Sequence, residues 1–405
     1  MRRLVFVSEA FPPDIAGSGI TVAAVAAGLA RDHRVLAIVG APDFSGTGTA
    51  APQREVWQGI DVVRCRTLGI PKNRVWQRAA RVGVVAATLT ATVAREVGPD
   101  DIVFVVVAPG VMAWAAVQAA RRRGAKVVLL VYDIFPESLV PAGLARPGSP
   151  QLRALQALYH PVYSQVDAVV TLGRCMADQV RALGGVRTAP VTVALHWADL
   201  DLVQPTRAAD PTLREELGLG DRFVFLFAGN LGRVQGLDTV VEAMVHLRDA
   251  PNIVALFVGA GAGESALRTA VSRHGLTNVV CAPMRPREQQ TYVLGAADVG
   301  LVTLSPGVLG LGIPGKTPNL LAAGKPVLLL MDAAAETAQL VTGEGCGWVT
   351  PPGDAAGLAA TMRRLAGAPD EVRAAAARAR KVAERRYAVD GMLDRYREVV
   401  ARLGG

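Results

Sequence analysis

Cysteine is scarce in this sequence. The four residues Cys65, Cys175, Cys281 and Cys346 lie far apart, with no Cys-x-x-Cys pair and no metal-ligand spacing. A disulfide scaffold and a structural zinc site are not expected, and a reducing cytosol fits. Aromatic residues make up 5% of the chain and charged residues 19%, against 51% hydrophobic. That balance is too apolar for disorder and too evenly punctuated for a fibre. A leader peptide is not expected, because only four apolar residues precede Ser8 and Glu9. Residues 102–120 form a longer run, uncharged over 19 positions and flanked by Arg121–Arg123. Length alone suggests a membrane span. The β-branched start ends at Pro109–Gly110, however, and predicts a buried strand at 102–107, a turn, and an Ala-rich helix from 111.

Lysine is the rare cation. Of 43 basic residues only Lys72, Lys126, Lys316, Lys325 and Lys381 are lysine. Charge is also uneven: residues 1–200 hold 21 basic against 14 acidic side chains, and the remainder 22 against 21. A basic half beside a balanced half implies two tasks. A length of 405 residues suits two domains of roughly 200 residues each.

Short apolar runs recur, each followed by a helical pattern. They fall at 3–8, 35–39, 102–107, 126–131, 167–172 and 190–195, and again at 222–228, 253–258, 278–282, 298–304, 326–331 and 347–350. Continuous apolar strands alternating with helices predict an α/β fold of two doubly wound parallel-sheet domains facing across a cleft. The division expected is 1–203 and 204–385, with the linker near 203–210. A last helix follows over 386–405, and packing back on the N-terminal domain is left open for it.

Several strand ends carry glycine turns. Gly17-Ser18-Gly19 follows the first strand, and Gly229, Gly232 and Gly236 follow the first strand of the second half, both before helices. Such turns present unpaired N–H groups to anions at the carboxyl ends of strands. Residues 310–317, Gly-Leu-Gly-Ile-Pro-Gly-Lys-Thr, satisfy the GxxxxGK[ST] phosphate-loop pattern, with Asp332 ending a later strand. Context argues against an NTPase: strand 298–304 stops well before Gly310, and the helix after Thr317 meets Pro318 and ends by Gly324. The glycine-rich turn and Lys316 still suit a phosphate. Asp199–Asp201 reads as linker rather than as a metal pair. His196 beside Trp197 ends a strand and is a pocket candidate. Tyr132, Asp133 and Glu137 cap another strand end, where a carboxylate could position an acceptor hydroxyl or cap the next helix.

With these motifs in view, the chain resembles a retaining glycosyltransferase of family 4 with the GT-B fold, nearly end to end. "VSEAFPPDIAGSG" is similar to the opening strand and glycine loop of that family. "YDIFPES" and "LHWAD" resemble segments of the branch that builds bacterial surface polysaccharides, the fucosyl and fucosaminyl transferases. "FAGNLGRVQGLDTVVEAM" and "IPGKTPNLLAAGKPVLLLMD" resemble its donor-domain signatures. Departures are specific. The two glutamates of the wider family fall at Leu311 and Asn319, its diphosphate-binding Arg and Lys at Asn230 and Gln235, and its acceptor-domain histidine at Tyr132.

The resemblance implies a nucleoside-diphosphate sugar (UDP, GDP or dTDP) as co-substrate and no metal or other cofactor. Donor contacts would come from Gly17, Ser18, Gly19, Gly229, Asn230, Arg233, Gln235, Gly312, Lys316 and Asn319, the last through its amide to the ribose hydroxyls. Asp133 and Glu137 would be catalytic, and Tyr132, His196 and Trp197 would meet the acceptor. That acceptor would be a glycan, a lipid-linked sugar or a natural product, and no nucleic acid is implied. Arg74, Arg78 and Arg81 beside Trp76 suit either an ordinary amphipathic helix or one resting on an anionic membrane, so the expected location is cytoplasmic with peripheral contact at the inner face left open. Rival readings are a P-loop NTPase or kinase using 310–317, a catalytically silent nucleotide-sugar-binding homologue, and a nucleotide-sugar epimerase.

Overall fold

The computed structural model describes residues 2–13, 17–41, 51–65, 75–107, 110–184, 189–206 and 210–404, with side chains undescribed over 75–82. Arg74, Pro109 and residues 207–209 of the expected linker lie outside these, as do the side chains of Trp76, Arg78 and Arg81.

Two sheets form, each from strands that are apolar almost throughout. The first contains β1 (Leu4–Ser8), β2 (Val35–Val39), β3 (Arg54–Trp57), β4 (Ile60–Arg64), β5 (Ile102–Val106), β6 (Lys126–Val131), β7 (Ala168–Thr171) and β8 (Val191–Val193), in the order β3-β4-β2-β1-β5-β6-β7-β8. The second contains β9 (Phe223–Ala228), β10 (Ile253–Val258), β11 (Val279–Ala282), β12 (Val299–Thr303), β13 (Val327–Leu330) and β14 (Gly347–Thr350), in the order β11-β10-β9-β12-β13-β14. All pairings are parallel except β3 with β4. β1, β2 and β5 are buried at every residue, as a parallel sheet covered by helices on both faces requires. Face-on stacking of Phe6 and Phe104 at 4.7 Å ties β1 to β5.

The hairpin β3–β4 is a correction to the even βα rhythm. Val56 and Trp57 meet Asp61 and Ile60 through a two-residue turn at Gln58-Gly59, with φ of 47° and 79°. Positive φ at both positions is the twist-matched hairpin geometry, here carried by Gln rather than by the more usual Asn or Asp. Residues 102–120 divide as the strand-and-helix reading expects, into β5 and the helix Gly110–Arg122. Among the described residues no helix is long and apolar enough to cross a membrane.

The first sheet has one core, and the C-terminal helix Val389–Gly404 belongs to it through Met392, Leu393, Tyr396, Val399 and Val400. Gly28 lies so close to Leu393 that a Cβ there would come within 2.5 Å of the leucine. The second sheet has a core on each face, and Ala198 and Val203 are buried in one of them. Strand order reverses at β1/β5 and at β9/β12, and the glycine turns after β1 and β9 leave the sheets there, where doubly wound folds bind ligands.

Candidate active site at the seam between the lobes

On the second-lobe side, the turn after β9 is fastened to the end of β12. The Gly236 N–H donates to Ser305 Oγ at 3.1 Å, the Ser305 N–H donates to the Val234 carbonyl at 2.9 Å, and the Thr303 hydroxyl donates to the Gln235 carbonyl. Gly229 adopts φ 126° and packs its carbonyl against Gly259, where no side chain fits. Asn230 and Arg233 are exposed on this turn.

Lys316 projects from the turn before the helix Thr317–Ala322. Its Nζ donates to Gln235 Oε1 at 3.1 Å and stands 3.2 Å from the centroid of the Phe227 ring. Among the described residues no carboxylate pairs with it. Enclosure by apolar neighbours pushes its pKa well below the ordinary lysine value. A cation held by an amide oxygen and a ring face, with no counter-ion, is poised for an anion. The helix it precedes has only six residues, so its dipole is small and the lysine supplies most of the positive charge. β12 ends at Thr303, and the acidic strand follows this helix almost at once, which is not the strand–loop–long helix of a nucleotide-hydrolysing phosphate loop.

Four residues before Lys316, the same turn touches the first lobe. Gly312 forms an antiparallel bridge with Asp133, and the Ile134 N–H donates to the Leu311 carbonyl at 2.9 Å. A Cβ on Gly312 would stand 3.2 Å from Asp133 Oδ1, so glycine leaves the carboxylate its space. The Asp133 side chain is water-accessible, yet protein crowds around it, and this desolvation raises its carboxyl to about 6. His196 faces the turn from below, its Nε2 3.3 Å from where a Gly315 Cβ would be. Desolvation lowers its pKa to about 4, against a smaller opposing effect of the Ile313 backbone, so the ring is neutral at pH 7. Three perturbed groups thus gather along one turn, a pattern concentrated at functional sites.

The seam is closed by further contacts that sequence spacing does not reveal. Glu336 accepts from the Arg174 backbone N–H and, at 3.1 Å, from Arg174 Nε, capping the helix Arg174–Gly184 of the other lobe. Gly173 abuts Ile313 and Glu336 so tightly that a Cβ would lie 2.2 Å from Ile313 Cδ1. Among the described residues, cavities opening on this seam measure about 40 Å³ and 10 Å³.

Of the other expected site residues, Tyr132 and Glu137 turn inward. Gly17 and Ser18 open the helix Gly17–Leu29, and Gly19 packs a Cβ position 3.0 Å from Ala10. Tyr132 does not offer its hydroxyl to an acceptor: it is buried, bonded to the Tyr396 hydroxyl at 3.3 Å, because the C-terminal helix covers that end of β6. Glu137 is likewise turned inward, where Oε1 accepts from Gln156 at 3.1 Å and meets His160 Nε2 at 2.8 Å. Trp197 packs against the first core. Asn319 spends its carbonyl on the Asp199 N–H at 2.9 Å rather than leaving the whole amide to a ribose.

Fold and seam together define a two-lobed enzyme of the GT-B class, and the comparisons agree. Residues 16–196 match the glycosyl transferase 4-like domain, and residues 222–367 match the glycosyl transferases group 1 family. The chain belongs to the glycosyltransferases with this architecture. It is 36% identical over 242 residues to the probable glycosyltransferase WbjE of Pseudomonas aeruginosa, a match spanning 58% of each chain. It is 28% identical over 357 residues to the putative colanic acid biosynthesis glycosyl transferase WcaI of Escherichia coli, covering 84% of this chain and 86% of that one. The fold matches that of Anabaena HepE, solved in complex with UDP, at a TM-score of 0.73 and 17% identity over 99% of this chain and all of that one.

Proposed function

We propose that the chain transfers a sugar from a nucleoside-diphosphate donor to a hydroxyl of a surface glycan or its lipid-linked precursor, with retention and without a metal ion. The observation that carries this reading is Lys316, an enclosed cation without a counter-ion on the same turn that meets Asp133. Bond breaking loads negative charge onto the leaving diphosphate, and a preorganised cation lowers that barrier. Arg233, exposed on the neighbouring turn, adds a second charge when the donor is bound. Gly229, Asn230, Gln235 and Gly312 shape the donor turns, with backbone N–H groups at Gly17–Gly19 facing the donor from the first lobe. Asp133 positions the acceptor hydroxyl and takes its proton, and Trp197 and His196 border the acceptor side. HepE is described with UDP and WcaI by colanic acid, which supports a nucleotide donor and a polysaccharide acceptor. Opening of the lobes precedes donor entry, and closure then excludes water.

The test is thermal protection by UDP-, GDP- and dTDP-sugars in the presence of EDTA. At least one should raise the melting temperature of the wild type and fail to do so for Lys316→Ala. Protection only by ATP with magnesium would replace this reading with the kinase one. Protection without transfer to any acceptor would make the chain a binding homologue, and release of an altered nucleotide sugar without acceptor would make it an epimerase.

A further inference from the structure

Residues 194–206 cross from one lobe to the other, and their hydrogen bonds change sides abruptly. The Ala194 N–H donates to Thr171 of β7 at 2.9 Å, the last backbone bond to the first sheet. From Asp199 onward the partners belong to the second lobe. The Asp199 N–H donates to Asn319 Oδ1, and its carboxylate accepts from the Leu202 N–H at 3.1 Å and from Arg287 at 2.6 Å. Thr291 donates to the Leu202 carbonyl at 2.7 Å. Arg380 donates to the carbonyls of Val203 at 2.8 Å and Ala322 at 2.9 Å. The returning chain behaves similarly: Tyr387 is buried in the second lobe and accepts from the Ala198 N–H at 2.7 Å, while Met392 is already in the first core. The change from one lobe to the other therefore falls at 195–197 and 388–391.

The helix Thr317–Ala322 is fastened to this linker at both ends, through the Asn319 side chain and through the Ala322 carbonyl held by Arg380. Lys316 immediately precedes that helix, and Asn319 lies one turn further on. We propose that Asn319 is a positioning residue, clasping the linker to the donor turn so that hinge and turn move as one body. This rests on the donor reading above for its consequence, that a displaced linker loosens Lys316 on the diphosphate, but the clasp itself is a property of the empty protein.

Two measurements on Asn319→Ala, Asp199→Ala, Arg287→Ala and Arg287→Lys, each verified folded by circular dichroism, test this. Hydrogen exchange of the empty protein should quicken in residues 317–323 by about tenfold, about 1.4 kcal/mol, in Asn319→Ala, which removes the acceptor of the Asp199 N–H. Asp199→Ala keeps that N–H but removes the carboxylate that accepts from Leu202 and Arg287, and should quicken exchange less. Arg287→Ala should do so weakly and Arg287→Lys restore the wild-type rate. Titration with UDP, GDP and dTDP should then show weaker binding in Asn319→Ala and a smaller loss in Asp199→Ala, the double variant being no worse than Asn319→Ala alone. Unchanged exchange in Asn319→Ala, or affinity losses that multiply in the double variant, would overturn the clasp. Quickened exchange in a protein whose wild type binds none of the three nucleotides would uphold the clasp and sink the donor reading instead.

Discussion

The second-lobe wall of the seam is largely bonded to itself: the Gln235 and Val234 carbonyls, Ser305 and Lys316 hold one another, with Thr317 Oγ1 beside them buried without a partner among the described residues. Beneath the first-lobe wall, unpartnered groups are more numerous among the described residues. Glu137 Oε2, Tyr159 Oη and Tyr163 Oη are all buried with no partner, and the apolar surroundings push both phenols above the ordinary tyrosine value. A donor diphosphate is chemically constant, so a fixed cradle suits it. Acceptors vary, and a wall with unsatisfied groups is cheaper to rearrange.

Several changes would break or sharpen this contrast. The largest effect is expected for Lys316→Ala, where loss of a charged hydrogen bond of about 1.5–3 kcal/mol should weaken nucleotide binding about tenfold to hundredfold by calorimetry. A loss below twofold would mean the fixed wall is not the donor cradle. Next comes Asp133. Its native carboxyl lies at about 6, above the ordinary 3.8, so the ionised form needed to accept a proton is lost as pH falls through 6. Initial rates should rise from pH 5 to 7 in the wild type, and the residual activity of Asp133→Asn should be flat. Stability moves oppositely: the native state binds the extra proton, so this residue makes the protein less stable as pH rises from 4 to 6.

For His196 the native pKa of about 4 lies below the ordinary 6.5. Its contribution is complete above 6.5 and lost as pH falls toward 4. Between pH 7 and 5, His196→Gln should show a fall in melting temperature smaller than that of the wild type by about 2–4 °C. The smallest effect belongs to Tyr163→Phe. Removing an unpartnered buried hydroxyl should leave stability unchanged or raise it by up to about 1 kcal/mol. A clear drop in melting temperature would mean that the acceptor wall is as fully bonded as the donor wall.

Much of the scaffold was legible in the sequence because parallel strands buried on both faces leave unbroken apolar runs, as in 102–107 and 253–258. The hairpin at 54–64 was not, since its turn residue Gln58 lacks the usual Asn or Asp signal and the strands alternate. Lys316 stood out by rarity, and Gly312 by its pattern. Tyr132 and Glu137 were read from a strand end and Asn319 from a family motif; Tyr132 and Asn319 bond to residues far along the chain, and Glu137 to Gln156 and His160, 19 and 23 positions on. The pairing of Arg174 with Glu336 spans 162 positions, beyond the reach of any local pattern.

Hydrophobic periodicity and glycine placement, which act over a few residues, settled by themselves that this chain forms two α/β lobes with anion-seeking turns at strand ends. Which way each polar side chain turns was decided only by the tertiary fold, within a lobe for Tyr132, Glu137 and Lys316 and between lobes for Arg174 with Glu336. A carboxylate, phenol or amide takes whatever donor the folded neighbourhood brings within about 3 Å, and that neighbour is seldom close in sequence.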